Sequence, residues 1–209
     1  ALLRRMGIKK LKVGHAGTLD PLATGVMIIC TGRATKRIDS LQLGVKEYIA
    51  DIALGATTPS FDLETAIDAT YPTDHITRET VETALRGFVG RIEQIPPSFS
   101  ACKIEGQRAY DMARRGEDVD LKPKILVIDD IELLEYSPEA IRIRVVCSKG
   151  TYIRALARDI GRALGSGAHL TALRRTRVGD VTLDSCMAVA DAARMIAEVP
   201  IEYPDDFEK

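Results

Sequence analysis

No apolar run in the 209 residues approaches the roughly 20 that a membrane-spanning helix needs. The longest candidate, residues 25–31, has the length of a strand. The first seven residues hold two arginines and no signal-peptide core, so the expected compartment is the cytoplasm. Cysteine is scarce and dispersed: Cys30, Cys102, Cys147 and Cys186 form no CxxC pair, and His15, His75 and His169 are equally scattered. That spacing offers no metal site and makes the cysteines small core residues. The glycines of residues 14–25 are not followed by Lys-Ser/Thr, which excludes a phosphate loop, and they precede a strand instead of following one, which excludes a dinucleotide fingerprint. With no motif for ATP or a redox group, no cofactor is expected. Repeats and low-complexity segments are also missing.

What is present is ordinary globular composition, 45% hydrophobic and 28% charged. A single body of this length buries roughly 70% of its unfolded surface without metal or disulfide help. The net charge of -1 hides a segregation. Residues 1–37 carry eight basic side chains and one acid, Asp20; residues 142–177 carry nine and one, Asp159. Together those segments hold +15 and the remainder -16. Such segments are either solvated helix faces or a surface for a polyanion.

Residues 26–30 (VMIIC) read as a buried strand and residues 47–54 (EYIADIAL) as a second, largely alternating one. Thr77 is placed to cap a helix running to about Val89, stopped by Gly90, and Pro96-Pro97 interrupts regular structure. A short basic helix is expected over 110–115. Residues 125–134 and 141–147 are rich in Ile and Val and suggest two strands joined by a turn at Ser137 and Pro138. Residues 151–164 (TYIRALARDIGRAL) place Ile153, Leu156, Ala157, Ile160 and Leu164 on one helix face and Arg154, Arg158 and Arg162 in a row four apart. A strand over 170–178 and a helix over 188–197 follow. Without regular strand-helix alternation, a mixed α+β architecture is expected.

Two clusters carry chemistry. GHAGTLDPLATG, residues 14–25, holds Asp20 in an Asp-Pro step flanked by glycines that let a partner come close. An Asp-Pro step commonly just opens a turn. Yet Asp20 is the one acid among 37 residues, and a purely phosphate-binding segment gains nothing from it, whereas nucleophilic or general-base chemistry on a nucleic acid needs such a carboxylate. The second cluster is SKGTYIR, residues 148–154, where Arg154 on helix logic alone is a surface arginine.

GHAGTLDPLATGVMIICTGRATK, KEYIADIALG, IPPSFSACKIEGQRAYDMARRG, CSKGTYIRALARDIG and GAHLTALRRTRVG, in this order across residues 14–179, resemble the TruB family of tRNA pseudouridine synthases. The resemblance implies a largely antiparallel central sheet flanked by helices, in one catalytic domain over 1–209 with an insertion at about 96–122 that clamps RNA. It implies isomerisation of a uridine in the T loop of tRNA, position 55 in tRNA numbering, to pseudouridine, by a protein acting as a monomer. Asp20 falls on the family's catalytic aspartate, Tyr48 on the tyrosine that stacks on the target base and assists removal of the C5 proton, and Arg154 on the arginine that pairs with Asp20. His15 falls on the residue that fills the space left by the flipped nucleotide, and Tyr152 and Leu173 on residues lining the uracil pocket. Lys103, Arg108, Arg114 and Arg115 of the insertion, and Arg174, would face RNA. A base held in a folded loop must be extruded before attack, and folded RNA is read largely through shape and phosphates.

The family's opening Lys-Pro stretch and its small C-terminal RNA-binding domain are not recognisable in the sequence. The loop after Gly55 reads ATTPSFDLE, less acidic than is common in the family, which leaves Asp62 without an evident role. Two other functions compete: a noncatalytic RNA-binding module, which would form no product, and a base-releasing glycosylase, which would liberate uracil. Retention of Asp20, Tyr48 and Arg154 together favours the isomerase.

Overall fold

The computed structural model describes residues 12–198 apart from 101–102, 105–106, 110–111, 113–114 and 116–120. In chain order its strands are β1 (Val13–His15), β2 (Ala23–Gly25), β3 (Ile29–Thr31), β4 (Lys46–Leu54), β5 (Ala56–Thr57), β6 (Ala69–Thr70), β7 (Gly90–Gln94), β8 (Lys103–Ile104), β9 (Gln107–Arg108), β10 (Lys124–Tyr136), β11 (Ala140–Cys147), β12 (Ala168–Val178) and β13 (Val181–Thr182). The helices are α1 (Ile38–Leu43), α2 (Arg78–Arg86), α3 (Ile153–Ala163) and α4 (Val189–Glu198).

Period-two alternation makes β4 the middle of the main sheet. Lys46, Tyr48, Ala50, Ile52 and Leu54 are buried on one side, while Glu47, Ile49, Asp51 and Ala53 face the other. The strand order is β13, β12, β4, β11, β10, β7, with β2 beside β13 on the outer edge of β12. All these pairings are antiparallel except β2 with β12. The expected α+β architecture, with a mixed, largely antiparallel sheet, is the observed one.

The buried side of the sheet meets α3 and α2. Ile153, Leu156, Ala157 and Ile160 of α3 and Val81 and Leu85 of α2 pack on Ile52, Ile128, Ile143 and Leu170. Each large side chain removed from water there contributes about 1.5–3 kcal/mol. Gly161 lets α3 approach the start of β12, since an added Cβ would lie 2.5 Å from the Ala168 amide. The opposite side is a lattice of ion pairs: Arg142 with Asp51 at 2.5 Å and Glu135 at 2.6 Å, and Arg144 with Asp130 at 2.7 Å and Glu47 at 3.0 Å.

Three expectations change. Residues 26–30 are not one strand: β3 starts at Ile29, and Val26, buried (1% exposed), donates its amide to the Arg175 carbonyl at the end of the β2–β12 pairing. The helix capped by Thr77 closes at Gly87, not Gly90. Its capping box is the expected N-terminus, with Thr80 N–H donating to Thr77 Oγ1 at 3.2 Å and Thr77 N–H donating to Thr80 Oγ1 at 2.9 Å. Arg154, which helix logic alone puts at the surface, is buried, as is Arg158, and of the three arginines of α3 only Arg162 is exposed. The basic helix expected over 110–115 lies mostly outside the described residues.

Candidate active site

Between β1 and β3 the chain arches over the edge of β12. Gly17 (φ +103°) and Gly25 (φ +104°) take backbone angles that other residues rarely adopt, and they mark the two ends of the arch. Asp20 sits at its crest. Its carbonyl accepts from Ala23 N–H at 3.0 Å, the turn an Asp-Pro step favours, while its carboxylate turns inward to Arg154.

Arg154 enters from the first turn of α3. The residue before that turn, Tyr152, is pinned on both its backbone groups by the buried amide of Gln94, which accepts from Tyr152 N–H at 2.9 Å and donates to its carbonyl at 3.1 Å. From this anchored start Arg154 donates Nη2–H to Asp20 Oδ1 at 2.8 Å and Nε–H to Oδ2 at 3.0 Å, a bidentate fork. It also donates to the carbonyls of Ser60 at 3.1 Å and Phe99 at 2.9 Å. Asp62 Oδ2 lies 3.6 Å from Nε. The side chains of Arg154 and Asp62 are 4% and 5% exposed, that of Asp20 29%, so Asp20 is the member of the trio that reaches the cleft.

Asp62 therefore has the place that its unusual loop left in doubt. Thr58 Oγ1 and Ser60 Oγ both donate to the Asp62 carbonyl, at 2.7 and 3.3 Å, and Glu64 N–H donates to its carboxylate at 2.9 Å. Phe61 holds a left-handed φ of +61°, costing about 1–3 kcal/mol, and is kept there by Leu170 N–H on its carbonyl at 2.9 Å and by the Arg158 guanidinium 4.8 Å above its ring.

A cleft of about 980 Å³ opens beside this trio. Asp20, Tyr48, Tyr152, Arg154, Leu173 and Arg175 line it, five residues that the resemblance assigns and one that it does not. Tyr48 and Leu173 come from the adjacent strands β4 and β12 and are 8% and 7% exposed. Burial pushes the Tyr48 phenol above its ordinary range, and the neighbouring Arg175 opposes that push. Lys46, two residues along the same face, is held on the carbonyls of Gln42 and Gly44, and burial lowers its ammonium below the usual lysine range.

Other candidates lie elsewhere. His15 is exposed on β1 and does not line the cleft. Arg174 is exposed and, by strand alternation, faces away from Leu173 and Arg175. Lys103 and Arg108 stand opposite each other on the β8–β9 hairpin, and Arg114 lies outside the described residues. Arg175, Gln94 and Lys46 were not singled out from sequence. Period two along LTALRRT carried the signal for Arg175, since it puts residue 175, not 174, on the side of Leu173.

The family model described as the TruB family pseudouridylate synthase N terminal domain matches residues 4–153, and that of the tRNA pseudouridylate synthase B C-terminal domain matches residues 154–200. A tRNA pseudouridine synthase B of Phocaeicola vulgatus is 70% identical over 96% of this chain and 86% of its own. One of Bacteroides fragilis is 69% identical over 98% of this chain and 88% of its own. Among solved structures, a chain of an H/ACA RNP bound to a substrate RNA containing 2'-deoxyuridine superposes with a TM-score of 0.66 at 25% identity, covering 92% of this chain and 46% of that one.

Proposed function

The chain belongs to the TruB family of pseudouridylate synthases, and on that premise we propose that it converts the T-loop uridine at position 55 of tRNA into pseudouridine by chemistry centred on Asp20. The observation that carries this reading is the bidentate Arg154 fork, which aims a carboxylate into a cleft floored by Tyr48 and Leu173. Asp20 keeps 29% of its side chain exposed at the cleft wall, where a substrate can reach its carboxylate.

The reaction breaks the bond from N1 of uracil to C1' of ribose and forms one from C5 to C1'. Uracil departs as an anion while the Asp20 carboxylate either adds to C1' or removes the 2' proton. The base then turns within the cleft and C5 attaches to C1', which releases the Asp20 carboxylate in the first route and returns the 2' proton from Asp20 in the second; the C5 proton is then lost as N1 gains one. The Tyr48 side chain supplies a stacking ring and, in its ionised form, a phenolate oxygen that takes that proton. Atoms and charge balance without an oxidant or a nucleotide cofactor. Arg154 acts by geometry: its fork fixes both oxygens of Asp20, and two further N–H groups are tied to the carbonyls of Ser60 and Phe99, so the carboxylate cannot swing.

The test is to incubate the protein with an unmodified tRNA transcript and map the product by chemical derivatisation and primer extension. Pseudouridine at the T-loop site is expected. Free uracil would instead indicate a glycosylase, and saturable binding without product a binding module.

A further inference from the structure

Arg175 is the largest fully buried side chain among the described residues, 1% exposed. A guanidinium taken out of water must find an acceptor for each of its donors. Those acceptors are on the Asp20 arch. Nε–H donates to the Val26 carbonyl at 2.8 Å, and Nη1–H and Nη2–H donate to the carbonyls of Thr18 and Gly17, each at 3.2 Å. Both legs of the arch are therefore tied to one side chain. The Arg175 backbone adds to this, because its carbonyl accepts from Val26 N–H at 2.8 Å and it stands opposite Gly25 in the parallel β2–β12 pairing. On its other flank Arg175 is the direct cross-strand neighbour of Tyr48, and both residues line the cleft.

We infer that Arg175 is a positioning residue for the isomerisation, setting the height of the Asp20 arch above the sheet while its guanidinium stands beside the Tyr48 strand as a fixed cation. This rests on the isomerase reading. To accept a proton from C5 the phenol must be ionised, and a buried phenolate is disfavoured; the Arg175 cation opposes that penalty from the adjacent strand. Neither effect needs Arg175 to touch the nucleotide.

The experiment compares wild type with Arg175→Met and Arg175→Lys by two readouts. One is kcat and KM for tritium release from tRNA labelled at uracil C5. The other is the titration of Tyr48, followed by NMR of tyrosine-labelled protein and assigned with Tyr48→Phe. In Arg175→Met, kcat falls on the order of 100-fold, the scale for a catalytic group displaced by about an ångström, while KM is unchanged and Tyr48 titrates at higher pH. Arg175→Lys returns the titration toward that of wild type because the cation is back, yet keeps kcat low because an ammonium cannot span the arch's carbonyls. A residue needed only for folding would lower the unfolding temperature and leave the Tyr48 titration in place. Wild-type kcat in either variant, or an unmoved titration in Arg175→Met, overturns the inference; if that variant fails to fold, wild-type kcat in Arg175→Lys does so alone. Should wild-type protein release no tritium, the isomerase reading fails, while the Tyr48 titration still decides the hold of Arg175 on the phenol.

Discussion

Arg154 serves two carboxylates, and the consequences of removing it differ for each. Asp20 can turn to the solvent of the cleft, whereas Asp62 is buried and would keep a charge with no cation beside it. Breaking a buried pair from one side costs about 3–5 kcal/mol, and Arg154→Met is expected to lose that much stability in chemical denaturation. Asp62→Asn placed on top of Arg154→Met should recover part of the stability and none of the activity; no recovery would mean that Asp62 is not the stranded charge. Asp20→Asn preserves the turn at Pro21 and the shape of the arch, so turnover is lost while tRNA affinity, by filter binding, stays within a few-fold. At this scale the legible residues were those inside a continuous motif: Asp20 in GTLDP, Arg154 in GTYIR. Asp62 was not, because its partner comes from a segment distant in sequence and nothing in its own loop announces the contact; for Arg175, period two gave the side of the strand but not the arch carbonyls it holds.

Elements were easier to read than their company. The helix over 151–164 and the strands over 47–54, 125–134 and 141–147 follow from apolar periodicity and turn residues, and they exist close to their expected bounds. The row Arg154, Arg158, Arg162 shares one helix face, and the loop over 58–65 and the segment around Phe99 lie over its first two members. Periodicity reports a face and not what covers it. The edge of β12 yields its own prediction. At Gly25 a Cβ would strike the Arg175 carbonyl and φ is +104°, so Gly25→Ala must push β2 off β12. About 1–3 kcal/mol of stability and most of kcat should be lost together, with tRNA binding retained; wild-type stability and rate would show that the arch does not depend on this contact. On β11, burial pushes the Cys147 thiol up to about 11 from 9.0. The unfolded thiol ionises first, so this stabilisation is complete below pH 9 and disappears as pH rises to about 11. Urea denaturation across that range should show wild type losing about 2–3 kcal/mol more than Cys147→Ala; parallel curves would contradict it.

Over the whole molecule, charge segregation overstated the surface available to RNA. Of the basic residues in 142–177, Arg154, Arg158 and Arg175 are buried and Arg142, Arg144 and Arg177 are paired with acids on the sheet, which leaves Lys149, Arg162 and Arg174 exposed. In the first segment Lys12, Arg33, Lys36 and Arg37 are exposed. Affinity for tRNA should fall with added salt, Lys149→Ala at the cleft rim should reduce the slope of log affinity against log salt by about one, and Arg144→Ala should not change it. Equal slopes for all three proteins would place the phosphates elsewhere. The central claim is that a carboxylate at the crest of the arch performs base isomerisation in the T loop, and it is met most directly by tritium release from a T-arm transcript labelled at uracil C5, using wild type beside Asp20→Asn. Release by wild type alone, with pseudouridine at the T-loop position, is the predicted result. Equal release by both proteins, or binding by wild type with no release, would contradict it.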